Sequence, residues 1–181
     1  MIVLVPSTIA LLPSYAGLED PVRPLRDACL AAVGELVADG PSSIGVISAP
    51  ARADNQERGV KEAAGSRIAR YLLGEVGWTG EVGEDGSAVL VVANGSACRS
   101  EKSPGHLDER SFGFDESISR ALRDGDAASL AGVDPVLAEE LWCRDAPAFH
   151  QLARLLPPGA AGEVSYSDDP FGVQYWVVSW R

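Results

Sequence analysis

Three short runs of the chain are apolar without alternation: Ile2 to Val5, Ile44 to Ile47 and Ala88 to Ala93. A strand covered by helices on both faces has no polar side, so unbroken apolar runs of this length predict buried strands. Between the first two runs, Val22, Leu25, Cys29, Ala32, Val33, Leu36 and Val37 recur at helical spacing, and Gly40-Pro41 supplies the stop, which predicts a helix over 22–39. Between the second and third, Val60, Ala64, Ile68, Tyr71 and Leu72 share one face of a helix expected over 56–76. Strand, helix, strand, helix, strand in this order implies right-handed crossovers and a mainly parallel sheet. The fold class expected is α/β, a three-layer α/β/α arrangement.

The second half of the chain changes rhythm. Phe114, Ile118, Ala121 and Leu122 fall on one helical face, Asp134-Pro135 opens another helix, and Phe149, Leu152, Leu155 and Leu156 mark a third, ended by Pro157-Pro158-Gly159. Glu163 to Ser167 and Val173 to Trp180 then predict two strands around Asp168-Asp169-Pro170-Phe171-Gly172, a C-terminal hairpin. Its aromatic residues near a sheet edge favour cover by a second copy of the chain, hence a homodimer. No repeat or linker interrupts the pattern, and 181 residues with 46% hydrophobic content suit one core, so residues 1–181 are expected to form a single domain.

Charge narrows the partners. A formal net charge of -11 opposes nucleic-acid phosphates and anionic lipid, leaving a small molecule or a protein. The opening MIVLVPSTIALLPSYAG lacks a basic start and is broken by Pro6 and Pro13, so it does not fit a signal peptide, and no apolar run approaches the ~20 residues of a membrane span. Cys29, Cys98 and Cys143 are odd in number and widely spaced, which suits reduced thiols and a cytoplasmic location.

In an open parallel sheet, ligands sit beyond the carboxyl ends of the strands. Three segments belong there: Pro6-Ser7-Thr8, Ser48-Ala49-Pro50, and NGSACRSEKSPGHLDER from Asn94 to Arg110. The last segment matches neither a phosphate loop, since Glu101 stands before Lys102, nor the nucleophile elbow Gly-x-Ser-x-Gly. Arg99, Lys102 and Arg110 form a basic island in an acidic protein, as an anionic ligand would require, but Glu101, Asp108 and Glu109 are there to neutralise it. The candidate ligand-binding residues are Ser7, Asn94, Ser96, Arg99 and Lys102, with backbone donors from Gly95 to Ala97 on the same anion. No catalytic residue is assigned. Trp142, Trp176, Trp180, Tyr175 and Phe171 either line an aromatic pocket or pack the core.

The run GSACRSEKSPGHLDER, then Phe114-Asp115, Gly125-Asp126 and the closing DDPFGVQYWVVSW, resembles the LigB-like class III extradiol ring-cleavage dioxygenases of the LigB/Memo superfamily, most clearly over residues 88–181. The resemblance implies an α/β/α fold and, in active relatives, non-haem Fe(II) held by two histidines and a glutamate, with a further histidine for acid-base work. Where those relatives place their histidines this chain has Ser7, Ala49 and Ala97-Cys98, and it contains only His106 and His150. Fe(II) of this type depends on imidazole nitrogen plus carboxylate, so no iron cofactor and no metal site are expected. The function expected is that of a non-catalytic or diverged relative that binds a small ligand, an anion by the basic island, or a protein partner through the strand-end cleft. The alternative is an active metal-dependent oxidoreductase or hydrolase with non-standard ligands such as Glu101, Asp168 and Asp169.

Overall fold

A computed structural model describes residues 1–15, 20–51, 57, 59 and 62–181. Its strands are β1 (Ile2–Val5), β2 (Ser43–Ser48), β3 (Glu81–Gly83), β4 (Ala88–Val92), β5 (Glu163–Asp168) and β6 (Tyr175–Trp180). They form one six-stranded sheet in the order β3-β2-β4-β1-β6-β5. The first four are mutually parallel, and β6 runs antiparallel to both β1 and β5. The α-helices described over their full length are α1 (Arg23–Ala38), α2 (Ala64–Glu75), α3 (Arg110–Asp124), α4 (Ala127–Ala131), α5 (Pro135–Glu140) and α6 (Ala146–Ala153), and two 3-10 turns, Ile9–Leu11 and Pro13–Tyr15, follow β1.

The apolar runs behave as their lack of alternation requires. Val3, Val5, Leu90 and Val92 face one layer with Leu25, Cys29, Val33 and Leu36 of α1 and Ile68 and Leu72 of α2. Leu4 and Val91 face the other with Phe114, Ile118 and Leu122 of α3, Leu130 of α4 and Phe149 and Leu152 of α6. Two cores separated by the sheet make the three-layer α/β/α arrangement, and each large side chain removed from water contributes about 1.5–3 kcal/mol. No helix among the described residues is long and apolar enough to cross a membrane.

Several expectations need correction. Of the helix expected over 56–76, Ala64–Glu75 is a helix that starts after a break at residues 62 and 63, and residues 52–56, 58, 60 and 61 lie outside the described residues. Strand β3 went unseen because it is three residues long and exposed throughout. The expected C-terminal hairpin is present and forms one end of the sheet. Strand β6 is inserted between β1 and β5, so Tyr175, Trp176 and Trp180 are buried core residues. The edges of the sheet are β3 and β5, whose residues are exposed or half-buried, so the aromatic residues of β6 do not lie on an edge. Trp142 and Phe171, by contrast, remain on the surface.

Candidate functional site

Strands β1 and β4 are parallel neighbours in register from Ile2↔Val89 to Val5↔Val92. The chain leaves β1 for α1 on one face and leaves β4 for α3 to α6 on the other, so their carboxyl ends flank a topological switch point, where α/β sheets open a crevice. The register brings Ser7 beside Asn94, and the Ser7 N–H donates to Asn94 Oδ1 at 2.8 Å. Asp145, immediately before α6, enters from the opposite layer. Its Oδ2 accepts from Ser7 Oγ at 2.5 Å and from the Asn94 N–H at 2.9 Å. Desolvation holds the Asp145 carboxyl above its ordinary range, against the lowering effect of the bonds from Ser7 and Asn94. The crevice is thus tied shut by a carboxylate that has no cation partner among the described residues.

A second polar cluster lies along the same sheet margin, toward β6 and β5. Asp115 projects from the apolar face of α3 and is 2% exposed. Its Oδ1 accepts from the Ser96 N–H at 2.8 Å, and its Oδ2 accepts from Ser96 Oγ at 2.5 Å and Arg99 Nη1 at 3.1 Å. Burial pushes its pKa up, offset in part by Ser96 and Arg99. The same guanidinium donates through Nε to Asp169 Oδ2 at 2.5 Å and lies 4.8 Å from the centroid of the Phe112 ring. Arg99 therefore pins α3 and the β5–β6 turn to the loop after β4. Around it opens a cavity of about 250 Å³ lined by Arg99, Phe112, Asp115, Glu116, Ser119, Ser167, Asp168, Asp169 and Gln174.

The five candidate residues are thus split between two places. Ser7 and Asn94 belong to the closed crevice; Ser96 and Arg99 belong to the cluster at the cavity. Lys102 is exposed and makes no ion pair among the described residues. Arg99 does turn inward, but its charge is met by Asp115 and Asp169 rather than by the loop's own acids. Arg110 pairs with Asp108, as the neutralised-loop alternative has it, and also with Glu140 of α5. The backbone donors expected for an anion are engaged: Gly95 N–H on Gln174 O, Ser96 N–H on Asp115, and Ala97 N–H on Leu141 O. With these donors occupied and the guanidinium doubly paired, the anion clamp lacks its parts.

The residues do not fit the iron centre that the resemblance implies. The crevice offers a serine hydroxyl, an asparagine amide and a carboxylate already accepting two hydrogen bonds, all poor substitutes for imidazole. His150 Nε2 is engaged with Val133 O at 2.9 Å, and His106 is exposed at a left-handed φ of 57°. The non-standard ligand set fails as well. Asp169 is bound to Arg99, Asp168 Oδ1 accepts from the Asp169 N–H, and no group of three His, Cys, Asp or Glu among the described residues is placed to hold a metal ion. A larger cavity, about 920 Å³, lies by the carboxyl end of β2 between Ala49, Ser66, Arg70 and Trp78, and none of the five candidates lines it. Its Arg70 already pairs with Glu62.

Sequence reasoning missed Asp145, Asp115 and Gln174. Asp115 carried a signal, since it shares a helical face with the buried Ile118 and Leu122, three and seven positions on, where an acid must be paired. Asp145 carried only the weak one of an acid just before an Ala-Pro helix start, and Gln174 none. Compared with known proteins, the chain matches no protein-family model and no curated sequence.

Proposed function

We propose that the chain is a diverged, extradiol-dioxygenase-like protein without iron chemistry, which binds a small ligand at the carboxyl margin of its sheet. The observation that carries this is the Asp145 bridge. It draws Ser7 and Asn94 together across the β1/β4 crevice, in the position where an active relative would need open coordination sites, while the cavity beside Arg99 stays open. A carboxylate that holds two donors is committed to fixing two loops, and its release for a metal would leave both donors unpaired.

The experiment is anaerobic incubation with Fe(II), desalting and elemental analysis, followed by addition of catechol and oxygen with absorbance monitoring of the ring-opened product. The expected result is substoichiometric iron and no ring cleavage. One iron per chain together with ring opening overturns the proposal. Ligand binding itself is read by thermal shift, since a molecule that binds only the native state raises the melting temperature by mass action.

A further inference from the structure

We infer that the outer edge of β2 is a docking site for an extended, basic segment of another protein, which adds to the sheet as a strand. The inference goes beyond the ligand reading of the Arg99 cavity and does not depend on it. Strand β3 covers only the first half of this edge: its three residues pair with Ser43, Ile44 and Gly45, whereas β4 pairs with β2 from Ile44 through Ser48. The track of β3 ends there because the chain turns back, and Gly86 packs so closely that a Cβ added to Gly45 would lie 3.0 Å from the Gly86 nitrogen. Val46, Ile47 and Ser48 are left with a neighbouring strand on one side only among the described residues. Successive residues of a strand direct their N–H and C=O groups to alternate sides, so at least one of these three aims both outward. Outside the sheet ladder, none of the three has a backbone hydrogen bond among the described residues.

The cavity of about 920 Å³ continues the line of β3. It is lined by Gly83 and Glu84, where β3 ends, and by Val46, Ile47 and Ser48 along the open half of β2. Val46 packs with the layer of α1 and α2 and Ile47 belongs to the opposite core, so the space flanks the edge of the strand rather than one of its faces. Ala69 and Leu73 of α2 line it from one layer and Gln151 of α6 from the other. The space thus has the place and surroundings of an edge strand between two helical layers. An extended chain presents amide donors and carbonyl acceptors in alternation, which such an edge can pair, whereas a compact small molecule cannot match them in series. Trp78, in the same lining, adds a buried Nε1 donor with no acceptor among the described residues. Charge selects the occupant. Arg70 is paired with Glu62, while Glu84 is exposed and makes no ion pair among the described residues, on a chain of net charge -11. A second copy of the chain would bring the same negative field, and a segment carrying lysine or arginine is attracted instead.

The test is calorimetric titration of the purified chain at neutral pH and low salt with acetyl-Lys-Val-Thr-Val-Lys-amide, its analogue N-methylated at every backbone amide, and acetyl-Glu-Val-Thr-Val-Glu-amide, together with amide hydrogen exchange of Val46, Ile47 and Ser48 read by NMR. The Glu84→Lys variant is titrated alongside; Glu84 is exposed, so this substitution leaves the fold intact. The expected result is one basic peptide per chain, exchange protection gained at an amide among Val46, Ile47 and Ser48, no binding of the N-methylated or the acidic peptide, and affinity for the basic peptide reduced about threefold in Glu84→Lys. Absence of binding by the basic peptide, equal binding of the N-methylated analogue, protection confined to other residues, or unchanged affinity in Glu84→Lys overturns the inference. Self-association of the free chain with protection at the same amides overturns it in favour of a second copy. These outcomes are separate from the iron experiment, which reads the β1/β4 crevice.

Discussion

Ser7 and Asp145 are 138 residues apart in sequence, yet the Ser7 hydroxyl donates to the Asp145 carboxylate at 2.5 Å, fastening the loop after β1 to the start of α6. The sheet brings the first residue to its carboxyl margin and the helical layer brings the second over it. Their meeting is a tertiary event.

The charge on Asp145 gives this contact a pH dependence. Desolvation raises its pKa above the ordinary 3.8, so between that value and the higher folded value the native state holds a proton that the unfolded chain releases. Stability from this group is therefore greatest at the acid end, falls as pH rises through the window and levels off above it. Asp145→Asn keeps an acceptor oxygen and removes the titration. The wild-type minus variant stability is expected to decline from acid to neutral pH and then stay flat. Asp145→Ala, which strands the Ser7 hydroxyl and the Asn94 N–H, is expected to cost about 2 kcal/mol. Urea denaturation from pH 4 to 8 measures both; a pH-independent difference, or an alanine variant as stable as wild type, rules out the buried-charge account.

Arg99 and Lys102 stood together in the basic island, but the fold separates their energetics. Arg99→Ala leaves Asp115 buried without its cation, and breaking a buried pair from one side costs about 3–5 kcal/mol. Lys102→Ala removes an exposed charge with no ion pair among the described residues and is expected to stay within about 0.5 kcal/mol of wild type. Adding Asp115→Asn to Arg99→Ala is expected to recover part of the loss, because the stranded charge is gone. Denaturation midpoints of the four proteins decide it. Equal effects of Arg99→Ala and Lys102→Ala would mean that the Arg99 network is decorative.

The contrast between these two basic residues marks what was legible in the sequence. Strands β1, β2 and β4 were readable because burial on both faces leaves an unbroken apolar run, and α1 because its single buried face imposes a 3.6-residue period. The place of β6 inside the sheet was not, because pairing order depends on how layers stack, to which a local pattern is blind. The strand-end location of Ser7, Asn94, Ser96 and Arg99 followed from sheet geometry. Their partners Asp115, Asp145 and Asp169 lie 16 to 138 residues away, and charge composition within one loop points to local neutralisation instead.

Gly95 shows how tightly the Asp115 cluster is packed against the core. A Cβ added there would lie 2.6 Å from Asp115 Oδ1, 2.6 Å from the Trp176 ring and 2.8 Å from the Gln174 Cβ. None of these groups can retreat freely, since Asp115 is held by Ser96 and Arg99 and Trp176 is core. Gly95→Ala is expected to destabilise by about 1–3 kcal/mol. Gly113→Ala in α3, where an added Cβ meets nothing within 4 Å, is expected to gain about 0.5–1 kcal/mol from helix propensity. Thermal unfolding of the pair reads the sign directly, and a neutral Gly95→Ala would show that Asp115, Trp176 and Gln174 can give way around the added methyl.

Trp176 and Trp180 lie on the same side of β6, both 1% exposed, and differ in one respect. Trp180 Nε1 donates to Leu122 O at 3.2 Å, linking the strand to α3, whereas Trp176 Nε1 is buried with no partner among the described residues. Replacement by phenylalanine removes comparable apolar area from each position and creates a comparable void. At Trp180 it also deprives the Leu122 carbonyl of its donor; at Trp176 it removes a polar group that folding had already desolvated without return. Trp180→Phe is therefore expected to cost more than Trp176→Phe, by about 1 kcal/mol, the net worth of one hydrogen bond. Chemical denaturation of the two variants under identical conditions measures the difference. If Trp176→Phe proves the more damaging, the shape of its indole, packed edge-on against Phe149 with centroids 6.1 Å apart, matters more to this core than the unsatisfied nitrogen.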